Sequence, residues 1–299
     1  MSEWLISLEG TPAGHDLALG LALMAAVLHA LFGAMQKGRF DPWVSRAAMD
    51  ASYGLIAAPF ALFVVPWPEP HMWPIFAGAF VVHCVYKVLQ AMTYTRGAYT
   101  VVYPVVRGTG PVFTVLGAGL VFGEHFAPGQ WLGVGLLVAG IFGLAAWNLA
   151  SVAGERGQMI PALGFAVVTG ALVAVYTTYD AYGIRATADP FTFLAWFFMI
   201  DGVFIPVITY ARWRAVARAD VTALLRLGVA GAFIAFFSFG AIMLATRLDK
   251  VGEAAVLRET STVFAGLIGW LVLGEKVGLV RFSLLALIAA GAVVVKLAG

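Results

Sequence analysis

The sequence predicts an all-α integral membrane protein in which ten transmembrane helices form two inverted five-helix repeats around a central cavity. Three observations predict it: the composition, the length of the apolar runs, and an internal repeat. Of the 299 residues, 62% are hydrophobic and only 11% are charged, whereas about 25% of the residues in a soluble domain are charged. So few charges cannot cover a water-facing surface, which excludes a soluble globular protein.

Ten apolar runs approach the length of about 20 residues that a helix needs to cross a bilayer. The predicted spans, numbered 1 to 10, are 17–36, 45–66, 73–95, 98–121, 128–149, 160–182, 190–210, 222–245, 251–273 and 278–297. The segment before span 1 contains Glu3, Glu9 and Asp16 but no Lys or Arg. That charge differs from the charge of a secretory signal, so we expect span 1 to remain in the mature protein.

The second half of the sequence repeats the first half. A shift of 151 residues superposes these positions without a gap: Arg107 on Arg258, Val112-Phe113 on Val263-Phe264, and Gly123-Glu124 on Gly274-Glu275. The predicted repeats are therefore 1–150 and 151–299, with five spans each. Because five is an odd number, the second repeat should cross the membrane in the opposite sense. Inverted repeats are typical of transporters whose halves exchange conformations; the alternative is a gene duplication without mechanistic meaning.

Span 3 carries a polar stripe on one helical face. His83, Lys87, Gln90 and Tyr94 follow one another at spacings of 4, 3 and 4 residues, and Tyr86 flanks them. The equivalent positions in span 8 are Ile234, Ser238, Ala241 and Ala245. Since the stripe occurs in the first repeat only, we predict that it lines a cavity. The structural alternative is a polar contact between two helices.

Span 4 carries a second stripe, which includes Tyr99, Tyr103 and Arg107, and two prolines, Pro104 and Pro111. Proline removes a backbone donor and clashes with the preceding turn. We therefore predict that the segment from Pro104 to Pro111 is bent or partly unwound and acts in gating. The guanidinium group of Arg107 can hold a substrate carboxylate with two hydrogen bonds. Equally, it can pair with an acid of the other repeat, such as Asp201.

Charged residues within the other spans are expected to face protein or water, because they are costly in lipid. Arg46 precedes Asp50 by four residues, which predicts a local ion pair. Asp50, Asp180 and Asp201 are candidates for ion pairing or proton coupling. The ammonium group of Lys87 would cost about 2.5–3.5 kcal/mol without a partner, so either an acid or a substrate carboxylate lies beside it, or the amine is neutral.

Arg258 and Glu259 are adjacent in span 9, so their side chains should point about 100° apart and reach different partners. We place the substrate site where spans 3 and 4 meet spans 1, 6 and 9. The predicted substrate-binding residues are His83, Tyr86, Lys87, Gln90, Tyr99, Tyr103, Arg107, Tyr176, Arg258 and Glu259. Tyrosine side chains in this set offer flat apolar surface with a hydroxyl edge, which suits an amphipathic solute.

Several classes of site are absent from the sequence. It contains no GxxxxGK[ST], HExxH or GxSxG motif, so ATP coupling, zinc-protease chemistry and serine hydrolysis lack their motifs. The single cysteine, Cys84, excludes a disulfide framework, and the five histidines are far apart. The net charge of +2, without a basic run, argues against nucleic-acid binding. We expect no catalytic residues, metal or cofactor.

The segment Tyr103-Pro104-Val105-Val106-Arg107, followed by Gly123-Glu124 and a Gly-rich span, resembles the EamA-type half of the drug/metabolite transporter superfamily. The second half repeats it as Val256-Leu257-Arg258 and Gly274-Glu275, so the resemblance covers nearly the whole chain. It implies a ten-helix exporter of small metabolites, with the YddG-like amino-acid exporters as one branch. The match departs at Pro104 and Gly108, which become Ala255 and Glu259. We interpret both Gly-Glu pairs as structural: Gly ends one helix and Glu suits the start of the next.

The predicted function is therefore secondary transport, the export of small amphipathic metabolites such as amino acids by alternating access. The alternatives are a membrane-embedded enzyme that acts on a lipid-soluble substrate and a non-transporting scaffold or receptor. We expect a multi-pass protein of a cell membrane, of the bacterial inner-membrane type, whose partners are a small-molecule solute and membrane lipid. Gly135, Ala139 and Gly143 form a small-residue face of span 5 that suits span 10 or a second copy of the chain. Orientation stays open, since the positive-inside rule favours both termini outside and the family resemblance implies both inside.

Overall fold

The computed structural model describes residues 2–35, 40–96, 99–151, 156–271 and 278–299, and every regular element in these ranges is an α-helix. The helices of the first half are α1 (Ser2–Ser7), α2 (Pro12–Met35), α3 (Pro42–Phe63), α4 (Met72–Arg96), α5 (Tyr99–Phe122) and α6 (Pro128–Ser151). The helices of the second half are α7 (Arg156–Ala186), α8 (Pro190–Asp201), α9 (Phe204–Ile208), α10 (Tyr210–Arg214), α11 (Arg218–Leu248), α12 (Val251–Arg258), α13 (Ser261–Leu271) and α14 (Leu279–Leu297).

Within the described ranges, eight segments are long and apolar enough to cross a membrane. This confirms the all-α class of multi-pass membrane protein but does not confirm the predicted count of ten. Span 2 falls short because Arg46 and Asp50 lower the hydropathy of α3. Span 9 falls short because it is divided into α12 and α13, which have 8 and 11 residues.

The interruptions of the long helices differ from the prediction. Helix α5 continues without a break through Pro104 and Pro111, so the expected unwinding is wrong. Each proline removes only one backbone hydrogen bond, and α5 packs closely against α6 and α7: a Cβ atom on Gly108 would lie 3.1 Å from Ile141. The break lies instead in the second half, at Glu259 and Thr260 between α12 and α13.

Small residues bring helices of the two halves into backbone contact. Helix α6 lies along α14, where a Cβ atom on Gly291 would lie 2.5 Å from the amide nitrogen of Leu137. Of the predicted small-residue face on span 5, Gly143 packs against Leu284 of α14, whereas Gly135 has open space beside it. The close contact between spans 5 and 10 therefore uses Gly143 but not Gly135, and self-association stays a prediction.

The same device positions the charged residues of spans 2 and 7. Helix α3 crosses the end of α8 at Gly54 and Gly202, where a Cβ atom on Gly202 would lie 2.7 Å from the carbonyl oxygen of Asp50. Gly202 also ends α8, and α9 resumes the span two residues later. The crossing therefore places Asp50 and Asp201, which are far apart in sequence, on neighbouring backbones.

Candidate functional site

Lys87 of α4 lies in a buried cluster with Asp50 of α3 and Asp201 of α8. Its ammonium nitrogen lies 2.8 Å from Oδ2 of Asp50 and 2.9 Å from Oδ2 of Asp201. It also donates to the backbone carbonyl of Asp201 at 3.0 Å and to the hydroxyl of Tyr53 at 3.1 Å. All four residues are buried. The anionic partner predicted for Lys87 is therefore an acid, and in fact two acids of other helices.

Two further contacts complete this cluster. Arg46 Nε donates to Oδ1 of Asp50 at 2.6 Å, which confirms the local pair predicted from their spacing. The hydroxyl of Tyr53 donates to Oδ2 of Asp201. Each carboxylate thus has a cation and at least one further donor, the arrangement that a charge buried in low dielectric requires.

His83, one turn before Lys87, joins the first half to the second through a different acid. Its Nε2 lies 2.9 Å from Oδ2 of Asp180 on α7, and its Nδ1 lies 3.9 Å from Oδ1 of Asp201. The other oxygen of Asp180, Oδ1, is buried without a hydrogen-bond partner. The rings of Tyr86 and Tyr176 pack against each other with centroids 4.7 Å apart, and Tyr176 packs on His83 at 4.8 Å.

Arg107 pairs with Glu259, not with Asp201 as suggested from the sequence. Its Nε lies 2.8 Å from Oε2 of Glu259, and its Nη2 donates to Ser261 Oγ at 3.2 Å. Arg258 instead donates to Thr177 Oγ1 at 3.4 Å, while its Nε lies 3.9 Å from Glu259. The nearest partners of the two adjacent side chains are thus different, Thr177 for Arg258 and Arg107 for Glu259, although the two also lie within ion-pair distance of each other. The helix break at Glu259 brings both of them to the end of α12.

A small central cavity lies between these clusters. Its volume is about 30 Å³, and helices of both halves line it. The lining comprises His29, Phe32, Gly33, Arg46, Tyr86, Gln90, Tyr94, Tyr103, Val106, Arg107 and Phe239. Aromatic rings form most of the wall, and two guanidinium groups and an amide supply polar atoms. This composition is typical of a binding site for a small amphipathic molecule.

The central cavity has a neighbouring opening on one side of the protein. A second cavity of about 90 Å³ shares Arg46, Gln90 and Tyr94 with it and extends to Trp43 and Thr95, where α3 begins and α4 ends. We call this the Trp43 side. A larger apolar cavity of about 260 Å³ lies apart from the charged residues, between α3, α8 and α11. Its lining is almost wholly apolar, which suits lipid chains better than a polar solute.

The opposite side, which we call the Glu124 side, is closed by bonds between the halves. The carboxylate of Glu124 accepts from the backbone amides of Val251 at 2.8 Å and Gly252 at 3.0 Å, at the start of α12. Arg185 lies 3.6 Å from Glu124 and donates to the carbonyl of Thr246 at 2.8 Å. The structural role predicted for Glu124 is thus correct in kind, but the helix that it caps is α12 of the other half and not the following helix.

We call the bonds of Glu124 to Val251, Gly252 and Arg185 the latch. More charged contacts surround it. Arg247 pairs with Glu9 at 2.6 Å, and Gln130 donates to Glu253 at 2.8 Å. Lys296 lies 3.7 Å from Glu253. Charge-assisted bonds of this kind are short and directional, so the Glu124 side is held shut at several points.

The structure brings most of the predicted site residues together. His83, Lys87, Asp50 and Asp201 form one cluster, and Arg107, Arg258 and Glu259 form another. Tyr86, Gln90 and Tyr103 line the central cavity between them, and Tyr176 and Asp180 line a smaller cavity beside it. The side chain of Tyr99 lies outside the described residues. Pro104 and Pro111 are buried within α5.

Sequence reasoning missed Phe239, which lines the central cavity and two smaller cavities beside it. A phenylalanine in an apolar span gives no signal of this role. It also left His29 and Arg46 out of the binding site, although both are polar residues within spans, which is the signal that identified Lys87. Among the described residues, no group of three His, Cys, Asp or Glu side chains is placed to hold a metal ion.

Comparisons with known proteins agree with this architecture. The sequence model of the EamA-like transporter family matches residues 16–146 and again 160–297, once in each half. One solved crystal structure of a protein matches over 96% of this chain and 99% of that chain, with a TM-score of 0.75 at 19% identity; at this identity the likeness concerns the fold alone. No curated protein matches the sequence.

The two matches of the family model cover most of the chain and fall on the two predicted halves. They agree with the resemblance to the drug/metabolite transporter superfamily and favour membrane transport over a membrane-embedded enzyme. The chain belongs to the EamA-like transporter family.

Proposed function

We propose that this protein is a secondary transporter of the bacterial inner membrane that exports small amphipathic metabolites, such as amino acids, by alternating access. The observation that carries the proposal is the central cavity: both halves line it, aromatic rings form its wall, and guanidinium groups enter it from α3 and α5. The proposed partners are the transported solute and the surrounding membrane lipid. A second copy of the chain, packed against the open face at Gly135, is a further proposed partner.

The charges around the cavity favour a solute without net charge. The cations are Arg46, Lys87, Arg107 and Arg258, and the acids are Asp50, Asp180, Asp201 and Glu259. Equal numbers of buried cations and acids leave the site neutral, with His83 uncharged, but strongly polar. A bare ion would find its charge opposed as often as attracted, whereas a zwitterion can match both signs.

Within the cavity, we assign the carboxylate of the solute to Arg46 and Arg107. Each guanidinium group binds an acid through its Nε, so its planar fork can be extended to a second carboxylate. Tyr86 and Tyr103 offer aromatic faces beside these groups. Tyr99 is assigned to the site on the sequence pattern of span 4. Lys87 and Glu259 then act by holding the site in shape.

Alternating access is supported by three features. A volume of about 30 Å³ is far below the roughly 300–1,000 Å³ of an ordinary ligand pocket, so an amino acid requires the helices to separate. One side has an adjacent opening and the other is bonded shut. Finally, the helix packing of the first half recurs in the second half. Helix α5 lies against α7, and the equivalent helices α12 and α13 lie against α2. Helix α4 lies against α7, and its equivalent α11 lies against α2. This correspondence is what two inverted repeats would produce.

Counterflow in liposomes tests the proposal. Purified protein is reconstituted with an unlabelled solute inside, and uptake of the labelled solute is followed for amino acids, organic cations and simple carboxylates. We expect accumulation of labelled amino acids, chemically unchanged, above the level of protein-free liposomes. A changed product would instead indicate an enzyme, and absence of counterflow with every solute would contradict transport.

A charge-conserving variant tests the assigned site. Arg107→Lys keeps the positive charge next to Glu259 but removes the planar fork. We expect the concentration of a carboxylate-bearing solute that gives half-maximal counterflow to rise, while the protein yield stays unchanged. The matched control is Arg96→Lys, at an exposed position near the end of α4. If the half-saturating concentration is the same for Arg107→Lys and wild type, Arg107 does not belong to the solute site.

A further inference from the structure

We propose that His83 and Asp180 together form the proton-carrying site of this transporter, so that export of a solute is driven by entry of a proton. The inference rests on the proposed function and adds the energy source. It starts from a buried pair that joins the two halves: His83 on α4 of the first and Asp180 on α7 of the second, with Nε2 and Oδ2 2.9 Å apart.

Asp180 differs from the other buried acids of the site. Asp50 and Asp201 have Lys87 as a partner, and Glu259 has Arg107. Within the described residues, the ion-pair partner of Asp180 is a histidine, the one side chain whose ordinary titration falls near neutral pH. Its second oxygen, Oδ1, is buried without a hydrogen bond. Oε2 of Glu259 also lacks a hydrogen bond, but the permanent cation Arg107 lies 2.8 Å from that oxygen. Unsatisfied buried carboxylate oxygen is costly, and a bound proton removes that cost.

The pair also separates two cavities. His83 lines a cavity of about 20 Å³ that shares Arg46, Tyr86 and Phe239 with the central cavity, and thus belongs to the Trp43 side. Asp180 lines a different cavity, of about 10 Å³, with Thr246 at its edge. The carbonyl of Thr246 accepts from Arg185, the residue beside Glu124 in the closed latch. Opening of the latch would therefore admit water to Asp180, while the Trp43 side admits water to His83.

Other ionisable groups face the pair from each neighbouring helix. On α4 they are Lys87 and Tyr86, and on α7 Tyr176. Asp201 of α8 lies 3.9 Å from His83 Nδ1. Arg258 of α12 lines the cavity of Asp180, and Tyr53 and Arg46 of α3 line the cavity of His83. Lys87, Arg46 and Arg258 oppose an added proton, whereas Asp201 favours it.

The proton transfer needs no other reactant. From the Trp43 side, a proton from water binds Nδ1 of His83 and forms an N–H bond. The proton on Nε2 then moves to Oδ2 of Asp180, which breaks one N–H bond and forms one O–H bond. This transfer leaves the imidazole neutral, with its proton on Nδ1. On the Glu124 side, the carboxyl group releases a proton to water. Before the next cycle the ring changes tautomer, so that the Nδ1–H bond breaks and an Nε2–H bond forms again. One proton crosses and no electrons are transferred. The reverse sequence moves a proton in the opposite direction.

Competition for charge couples this proton to the solute. The site is neutral before either one binds, so the added proton on His83 and the ammonium group of an amino acid are alternative positive charges near Asp201, which lines the cavity of His83. The two should therefore not bind together, which is the condition for exchange rather than cotransport.

The decisive experiment follows solute and protons in the same liposomes. The lumen contains a pH-sensitive dye, and valinomycin with potassium clamps the membrane potential. For wild type, we expect an amino-acid gradient to drive proton movement in the opposite direction. In His83→Gln and Asp180→Asn, we expect the number of protons moved per molecule of amino acid to fall to the level of protein-free liposomes, whatever rate of counterflow remains. The control is His125→Gln, at an exposed loop position.

Each outcome decides between the two proposals. Counterflow by the wild type without any pH change would overturn the proton inference and leave transport intact. Proton movement that persists in both variants would also overturn it. Absence of counterflow in the wild type would instead contradict the proposed function. If the variants fail to fold, a measurement on the wild type alone still tests the proposal. The heat of amino-acid binding is measured by calorimetry in buffers of different protonation enthalpy, which reports the protons released on binding. At a pH low enough for the pair to carry the added proton, we expect amino-acid binding to release that proton, and binding with no proton release at any pH would refute the competition.

Discussion

The ammonium nitrogen of Lys87 lies 2.9 Å from Oδ2 of Asp201, in an ion pair that connects α4 of the first half to α8 of the second. Asp50 approaches the same nitrogen from α3 at 2.8 Å. Lys87 therefore lies at the junction of three helices and both halves. A charge with two acids already bound to it is better suited to hold helices together than to receive a substrate carboxylate.

The first prediction is that Lys87→Met destabilises the protein. Breaking a buried ion pair by removing one partner leaves an uncompensated charge, which costs about 3–5 kcal/mol. We expect a lower midpoint of thermal unfolding in detergent, whatever solute is added. Adding Asp201→Asn to Lys87→Met removes the stranded charge and should recover part of the loss. A stable Lys87→Met protein that transports amino acids at the normal rate would show that the ion pairs are dispensable.

The second prediction concerns the crossing of α3 and α8. In Gly202→Ala, the new Cβ atom would lie 2.7 Å from the carbonyl oxygen of Asp50 and from Cα of Gly54. Overpacking of this kind costs about 1–3 kcal/mol, so the unfolding midpoint should fall. Gly20→Ala is the matched control, since nothing lies within 4 Å of the added atom. Equal unfolding midpoints for the two variants would mean that the close backbone contact is not required.

The third prediction is that Glu124→Gln favours opening of the Glu124 side. The substitution keeps the side-chain shape but weakens the bonds to the start of α12, where a negative charge is favoured by the helix dipole. In a Cys84→Ser background, the reporter is Met243→Cys, which lies in the cavity next to Asp180. We expect a polar maleimide to label this cysteine faster when Glu124→Gln is present.

The control for this labelling is Glu3→Gln, which removes the charge of an exposed acid in α1. It should leave the labelling rate unchanged. Equal rates for Glu124→Gln and the unmodified background would show that the latch does not limit access to Asp180.

The fourth prediction tests gating by α5. Although the helix is continuous, Pro104 and Pro111 each remove one backbone bond, so α5 should bend more easily than a proline-free helix. We expect the variant with both prolines replaced by Ala to slow counterflow more than it weakens solute binding, which is measured separately by calorimetry. A double variant with wild-type exchange rates would exclude a gating role for the two prolines.

How far the sequence predicts the site depends on the range of each contact. The stripe from His83 to Tyr94 was predicted because helical periodicity is local, and Arg46 with Asp50 because four residues make one turn. The partners of Lys87 and Arg107 come from other helices. No local pattern distinguishes Glu259 from Asp201 as the acid for Arg107, because that choice depends on how α5 and α12 pack.

The helix break in the second half shows the same limit. Two prolines predicted an interruption in span 4, but α5 is continuous, whereas Glu259 and Thr260 interrupt span 9 without a proline or glycine. There the chain turns so that Glu259 meets Arg107 and Arg258 meets Thr177. Tertiary bonds decide this local geometry, so propensity alone could not predict it. The family, by contrast, was predicted from a resemblance, since the segment from Tyr103 to Arg107 and the following Gly123-Glu124 are local motifs of the sequence.

The central claim is that the two halves must separate on the Glu124 side during each transport cycle. Cysteines at positions 124 and 185, in a Cys84→Ser background, replace two residues whose charged groups lie 3.6 Å apart across the halves. A short reducible cross-linker can join them in proteoliposomes, and amino-acid counterflow is then measured before and after reduction. We predict that cross-linking stops counterflow and that reduction restores it in the same sample. Full counterflow by completely cross-linked protein would contradict alternating access through this side.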